Sequence, residues 1–390
     1  MSRPRVLQVF PYWLDPETGG ASGVKDVIAS IVELTSDDWD HVVVTPGASP
    51  HNERFRSAGA VDVVDLGRRD HLIVRRGSGA ASLARHAVDL ARASRRLAAL
   101  IRRRDIAVVH SHSSAYLGGA LAARLTGRPS LVHVHERMDR LPPLIAWGHR
   151  RVTATLADRV VVLARFMEDE WHDAARKLET IPNTVIVRPP GVTEDGGVVP
   201  IGFLGRIAPR KGIEYLIDAL ALVRDEVPDA RLVVVGGPAE PEDYAYLERL
   251  RSHAASLGTA VEFRGPTDDP LGFLRDVSVL GFVSPVDIAP VTVLQAMALG
   301  VPVVSGSHGG AEEFVVDGVT GVVVPPRDAR ALAAALVDVL RHAELRAQMS
   351  QAARTRFGEL YGPERFRAQI SELYERALLK RRGSAPRRRS

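Results

Sequence analysis

Residues 198–238 read VVPIGFLGRIAPRKGIEYLIDALALVRDEVPDARLVVVGGP. An apolar run ends at Gly205, a short basic loop follows, and a segment with apolar residues at helical spacing leads to a second apolar run closing on Gly236 and Gly237. Unbroken Val/Ile/Leu runs mark strands covered on both faces, as in parallel sheets; a strand with one wet face would alternate. Strand, helix, strand in that order is one crossover unit of a doubly wound α/β domain.

The same grammar recurs along the chain. The first half carries RVLQVF, DHVVVTPG, AVDVVDLG, IAVVHSH, SLVHVHE and DRVVVLA; the second carries VVPIGFLGR, ARLVVVGGP, AVEFRG, VSVLGFVSP, VPVVSGS and GVVVPP. At 390 residues the chain exceeds one ordinary core. The predicted fold is α/β, two Rossmann-like doubly wound domains facing across a cleft. The first spans 1–182 and the second 199–361, with a Pro- and Gly-rich linker at 183–198.

Composition narrows the function. Without cysteine there is no disulfide, thiolate metal site or cysteine nucleophile. No window approaches the run of about 20 apolar residues that spans a bilayer, and the N-terminus lacks a signal-peptide pattern, so a cytoplasmic location is expected. The net charge of +4 is unevenly spread. Residues 1–190 hold 27 basic and 21 acidic residues, 191–379 hold 18 and 26, and the tail KRRGSAPRRRS (380–390) holds six basic residues and no acid. That tail has almost nothing apolar to bury and reads as disordered. It also lacks the aromatics that stack on bases, which argues against a nucleic-acid partner.

Chemistry concentrates after strand ends, where doubly wound sheets bind ligands. In GRIAPRKG, Arg206 and Lys211 flank a tight loop that opens a helix, an arrangement suited to a diphosphate; a solvated basic loop fits the spacing equally. In DIAPVTVLQ (287–295), Pro290 suits a first helical turn. Val291 and Thr292 then present N–H groups at the positive end of the helix dipole. Asp287 before the helix and Gln295 on it suit sugar and ribose hydroxyls, although an N-cap and a buried amide fit as well.

The stretches GRIAPRKGIEYLIDAL, LVVVGGP, VEFRGPT, IPNTV and SPVDIAPVTVLQAMALGVPVVSGSHGGAEEFVVDGVTGVVVPPRD resemble the retaining glycosyltransferases of family 4, which have the two-domain GT-B architecture. The resemblance runs from TGGASG to about Tyr361 and is densest over 200–328. It implies a nucleotide-diphosphate sugar as donor, expected to be UDP-linked, with no metal or other cofactor. It places Arg206 and Lys211 on the donor diphosphate and Asp287 and His135 at the donor sugar. Gly19, Gly20, Val291, Thr292, Gln295, Glu313 and Arg264 complete the donor set. The segment 362–379 resembles a helix that crosses back onto the first domain.

Three departures bear on the donor. Asp287 and Gln295 stand where the family usually has glutamates: the first keeps its charge with a shorter reach, the second loses charge assistance. Pro290 replaces a frequent glycine and has no N–H to offer. In retaining transfer of this kind the leaving phosphate oxygen can take the acceptor's proton, so the cations and helix terminus carry most of the work. The site reads as retuned.

In this family the first domain holds the acceptor, so the acceptor candidates are Tyr12, Trp13, His112, Tyr116, Glu136, Arg137 and Asp139. Their mixture suits a small polar acceptor, of which an aminocyclitol or aminosugar of natural-product biosynthesis is one. His110 and His133 are expected to be packing residues, and His112 and His135 to line the cleft without a metal. The basic segment ARASRRLAALIRRRD (91–105) reads as a helix covering its own sheet in preference to a membrane-docking surface. Asp38–Asp40, the only Asp-x-Asp, reads as a solvated turn. The rivals are a noncatalytic nucleotide-sugar-binding protein and a synthase whose phosphorylated acceptor is held by Arg137 or Arg140. A monomer or homodimer is expected.

Overall fold

The computed structural model describes residues 3–10, 23–47, 51–67, 80–138, 141–187, 200–306 and 308–384. Among these, one compact unit takes in residues up to Pro182 and from Glu364 onward, and a second takes in Asn183–Pro363.

The first unit is a parallel sheet of β1 (Arg5–Val9), β2 (Asp40–Thr45), β3 (Asp62–Asp65), β4 (Ile106–Ser111), β5 (Ser130–His133), β6 (Arg159–Val162) and β7 (Leu178–Thr180). Its strand order is β3-β2-β1-β4-β5-β6-β7. The crossovers hold α1 (Gly23–Thr35), α2 (His51–Ser57), α3 (Ala80–Arg103), α4 (Gly118–Thr126), α5 (Pro143–Leu156) and α6 (Phe166–Glu170). The two-residue period of a strand sorts its side chains onto two layers. Leu7 and Val9 pack with Ala93, Leu97 and Ile101 of α3, so the basic helix does cover its own sheet.

The second unit repeats the plan with β8 (Pro200–Leu204), β9 (Arg231–Val235), β10 (Val261–Gly265), β11 (Val279–Phe282), β13 (Val303–Ser305) and β15 (Gly321–Val323), ordered β10-β9-β8-β11-β13-β15. A separate parallel pair joins β12 (Val286–Asp287) to β14 (His308–Gly309). Its helices are α7 (Ile213–Glu226), α8 (Pro241–Ser256), α9 (Pro270–Arg275), α10 (Val291–Leu299), α11 (Gly310–Phe314), α12 (Ala329–Arg341) and α13 (Ala343–Leu360). Ile201, Phe203, Leu232, Val234 and Val279 form its core with Leu216 and Leu220 of α7 and Leu336 of α12. The longer strands are the apolar runs of the sequence. The pieces β7, β12 and β14 have two or three residues each and no such run.

The last helix, α14 (Pro363–Ser384), belongs to the first unit. Phe366, Ile370, Leu373 and Tyr374 bury themselves against Val6, Ile31, Trp39, Val108 and Leu131, on the sheet face opposite α3. Residues 380–384 of the expected tail continue this helix; 385–390 lie outside the described residues. The Asp38–Asp40 turn is part of the same packing, which corrects its reading as merely solvated. Trp39 is buried with its ring 5.2 Å from that of Tyr374, and Asp38 accepts a 2.9 Å hydrogen bond from Arg367. Within the second unit, Thr184 Oγ1 donates to the carbonyl of Tyr361 at 2.6 Å, tying its first residues to its last turn.

Candidate active site

In the second unit the strand order reverses between β8 and β11, and the loops leaving the carboxyl ends of these strands carry the charged residues. Gly236, at the end of β9, has φ +140°, and a Cβ there would fall 1.8 Å from the Gly205 oxygen. Only glycine lets these two strand ends approach so closely. The loop after β8 makes one tight turn over Pro209–Lys211 and ends on Gly212 at φ +66°, the residue that starts α7.

Arg206 and Lys211 are each held by a carboxylate. Arg206 places Nε 2.7 Å and a terminal nitrogen 2.6 Å from Asp243 Oδ2. Asp243 is buried in the first turn of α8, and the same oxygen accepts the N–H groups of Ala239 and Glu240 at 3.1 Å. Burial pulls the Asp243 pKa upward, but the Ala239 N–H, the Arg206 guanidinium and the Glu240 N–H outweigh it, leaving the carboxyl below its ordinary value. Lys211 Nζ lies 2.7 Å from Asp287 Oδ2 and 5.8 Å from the centre of the Phe282 ring.

Asp287 is fixed by the short strand pair. It lies in β12 against β14, and its Oδ1 accepts the Ile288 N–H at 3.0 Å. Beyond β14 runs α11, which carries Glu313. That residue is half-buried, and its carbonyl accepts from Arg356 at 2.8 Å and from the Tyr361 hydroxyl at 3.1 Å.

Pro290 departs from the expected first-turn position. It is the N-cap of α10, with extended backbone at φ −66° and ψ 108°, and its carbonyl accepts the Val293 N–H at 3.0 Å. Val291 and Thr292 are then the first helical residues, and the helix itself does not satisfy their N–H groups. Thr292 Oγ1 lies 3.4 Å from the carbonyl oxygen of Leu204, which sets this helix start beside the end of β8. Gln295 is half-buried on the second turn. Two cations and a positive helix terminus thus gather at one end of the sheet, an arrangement chemically suited to a diphosphate.

Arg264 does not join this group. It lies on the edge strand β10 and bonds both oxygens of Glu262, at 2.7 and 3.1 Å, a pairing that raises its pKa. Asp243 was missed in the sequence. The segment EPED (240–243) was legible as a helix start with proline at its first position and an acid two residues later, but nothing there signalled a partner 37 residues upstream.

Tyr12, Trp13, Gly19, Gly20, Asp139 and Arg140 lie outside the described residues. Two acceptor candidates are corrected to interior residues. His112 is fully buried, with Nε2 2.7 Å from Gln8 Oε1, because it points to the same sheet face as His110, under α14. Tyr116 is 4% exposed and packs in the core with Leu7, Val9 and Leu97. Glu136 braces a turn: its Oε1 accepts from Ser113 Oγ, from the N–H and hydroxyl of Ser114 and from the Ala115 N–H, at 2.5–3.0 Å. The Arg137 guanidinium sits 5.6 Å from the centre of the Phe166 ring. His135 is half-buried beside His133, with ring centres 4.5 Å apart, and burial pushes its pKa down to about 3. It is therefore a neutral imidazole, able to meet hydroxyls but not to neutralise phosphate.

Comparison with known proteins assigns this architecture. A family described as glycosyl transferases group 1 matches residues 193–356, and one described as Glycosyltransferase Family 4 matches residues 22–188. The GDP-mannose-dependent alpha-(1-6)-phosphatidylinositol monomannoside mannosyltransferase of Mycolicibacterium smegmatis is 32% identical over 292 residues, 66% of this chain and 74% of the relative. The D-inositol 3-phosphate glycosyltransferase of Streptomyces scabiei is 29% identical over 408 residues, 93% of this chain and 88% of the relative. Among solved structures, Anabaena HepE in complex with UDP and glucose superposes with a TM-score of 0.74 at 19% identity, covering 95% of this chain and 99% of that one. Sucrose-phosphate synthase of Thermosynechococcus elongatus gives 0.73 at 19% identity, covering 97% and 100%. With both halves matched and both sheets in the doubly wound order, the chain belongs to the family 4 glycosyltransferases and has their GT-B fold.

Proposed function

We propose that this enzyme transfers a hexosyl group, with retention, from a UDP-linked sugar to a hydroxyl of a small polyol acceptor. The carrying observation is the pair Arg206 and Lys211 beside the start of α10 at the carboxyl end of β8. Negative charge builds on the diphosphate as the bond to the anomeric carbon loosens, and preorganised donors act most strongly where charge develops. Lys211 keeps N–H donors beyond the one on Asp287, and Arg206 keeps the donors that Asp243 does not take. The leaving phosphate oxygen receives the acceptor's proton, so no protein base is required.

HepE, bound to UDP, favours the uracil base, whereas the mycobacterial relative is named for GDP-mannose. Calorimetric titration with UDP, GDP, ADP and dTDP, each with and without Mg2+, tests the reading. Saturable UDP binding indifferent to Mg2+ is expected. Binding of GDP instead moves the donor to a guanosine sugar, and failure of all four removes the donor site.

For the acceptor, relatives named for inositol 3-phosphate and phosphatidylinositol favour an inositol-type ring, in place of an aminocyclitol, and favour a phosphorylated one. Supplying myo-inositol, inositol phosphate and phosphatidylinositol with the matched donor separates these cases. Turnover of inositol phosphate alone is expected.

A further inference from the structure

Four histidines share one face of the first sheet. His110 and His112 follow one another along β4 and its end, and His133 and His135 do the same on β5. Ring centres are 4.3 Å apart for His110–His112, 5.4 Å for His110–His133 and 5.6 Å for His112–His133. His110, His112 and His133 are fully buried beneath α14.

A neutral imidazole has one donor and one acceptor nitrogen, and buried polar atoms are almost always paired. Here His110 Nε2, His112 Nδ1, both nitrogens of His133 and His135 Nε2 have no hydrogen-bond partner among the described residues. One ligand nitrogen from each of His110, His112 and His133 lies within 4.8 Å of the others. The remaining nitrogens of two are held from behind: His112 Nε2 is 2.7 Å from Gln8 Oε1, and His110 Nδ1 is 2.9 Å from the Tyr374 hydroxyl. Gln8 Oε1 can only accept, so His112 carries its proton on Nε2 and turns a bare lone pair inward from Nδ1.

We propose that His110, His112 and His133 form a buried site for a divalent transition ion of the Zn2+ class. Such ions take neutral imidazole, and their histidine ligands commonly give the second ring nitrogen to a protein acceptor, as His112 does here. Zinc–nitrogen bonds of about 2.0–2.1 Å set tetrahedral ligand atoms roughly 3.3 Å apart, so small ring rotations close the set. His135, its ring centre 4.5 Å from His133 and 5.7 Å from His112, is a side-chain candidate for the fourth position. The ion ties β4 and β5 to one another and, through Tyr374, to α14. It is structural and takes no part in transfer.

Metal content of the full-length enzyme, measured as purified and again after chelator dialysis and titration with Co2+, tests the site. One equivalent of tightly held metal is expected, with the intense visible absorption of tetrahedral Co2+ displaced by Zn2+ but not by Mg2+. His133→Asn should abolish that absorption and His253→Asn, on the surface of the second unit, should leave it. Should His133→Asn fail to fold by circular dichroism, His112→Asn takes its place, and the titration of the unaltered enzyme decides in either case. Absence of retained metal and of the Co2+ spectrum overturns the proposal, leaving the bare nitrogens to buried water. Survival of the spectrum in a folded His133 or His112 variant overturns it too, since the ion then binds elsewhere.

Discussion

Lys211 Nζ and Asp287 Oδ2 meet at 2.7 Å although 76 residues separate them. The loops after β8 and β11 bring them together, the two strands that flank the reversal of strand order. Asp287 orients the ammonium while leaving donors for a diphosphate. Replacing Lys211 with Ala should lower kcat by about 10²–10³, the usual effect of deleting one donor to developing charge. Steady-state kinetics beside an unchanged unfolding midpoint would show it; parental turnover would remove Lys211 from the donor site.

Asp243 does for Arg206 what Asp287 does for Lys211, but from a buried position with two backbone N–H groups on the same oxygen. Asp243→Ala leaves those donors unpaired and frees the guanidinium, so a stability loss of about 1–3 kcal/mol is expected, together with a raised donor KM. Asp243→Asn keeps an oxygen acceptor and should lose less of both. Urea unfolding and donor-dependence curves on the two variants check the ranking.

Gly236 allows the crossing of two strand ends. At φ +140°, with the Gly205 oxygen 1.8 Å from where a Cβ would sit, alanine must displace backbone. Gly236→Ala is expected to cost more than about 1 kcal/mol from conformation alone, and to move Arg206, one residue past Gly205. Thermal unfolding and nucleotide titration should both shift.

The sheets were legible because buried parallel strands need long apolar runs, and RLVVV and DHVVVT read as nothing else. The strands β12 and β14 were not, since a two-residue pairing beside Asp287 leaves no periodic trace. Arg206, Lys211 and Asp287 stand out as candidates from loop chemistry and resemblance, whereas the pairings Arg206–Asp243 and Lys211–Asp287 are set by tertiary approach. His112 and Tyr116 were misplaced for a related reason. Polar residues just past a strand end look like ligand contacts, but His112 is buried against Gln8, His110 and His133, and Tyr116 turns back into the core.

Gln295 offers a test of how the donor site differs from the family pattern. A carboxylate at this position would restore charge assistance to a hydroxyl contact, which roughly doubles its strength. Gln295→Glu should therefore tighten nucleotide binding by up to about tenfold, or about 1.4 kcal/mol. Weaker binding in calorimetry would show that the ribose is held elsewhere.

Acid should weaken the first unit. His41 is buried in β2, its Nδ1 3.0 Å from Gln8 Nε2 and its Nε2 2.8 Å from Thr35 Oγ1, and burial pushes its pKa down to about 3. The unfolded chain, with an ordinary histidine pKa near 6.5, binds the proton that the folded chain refuses. Stability from this residue is therefore complete above about pH 6.5 and is lost as pH falls toward 3, at about 1.4 kcal/mol per pH unit. His41→Gln keeps an acceptor for Gln8 and a donor for Thr35 without the titration. Its unfolding free energy should fall less steeply between pH 6.5 and 5, by about one proton. An unchanged slope in urea titrations at the two pH values would mean that His41 is reached by water and already protonates in the folded state.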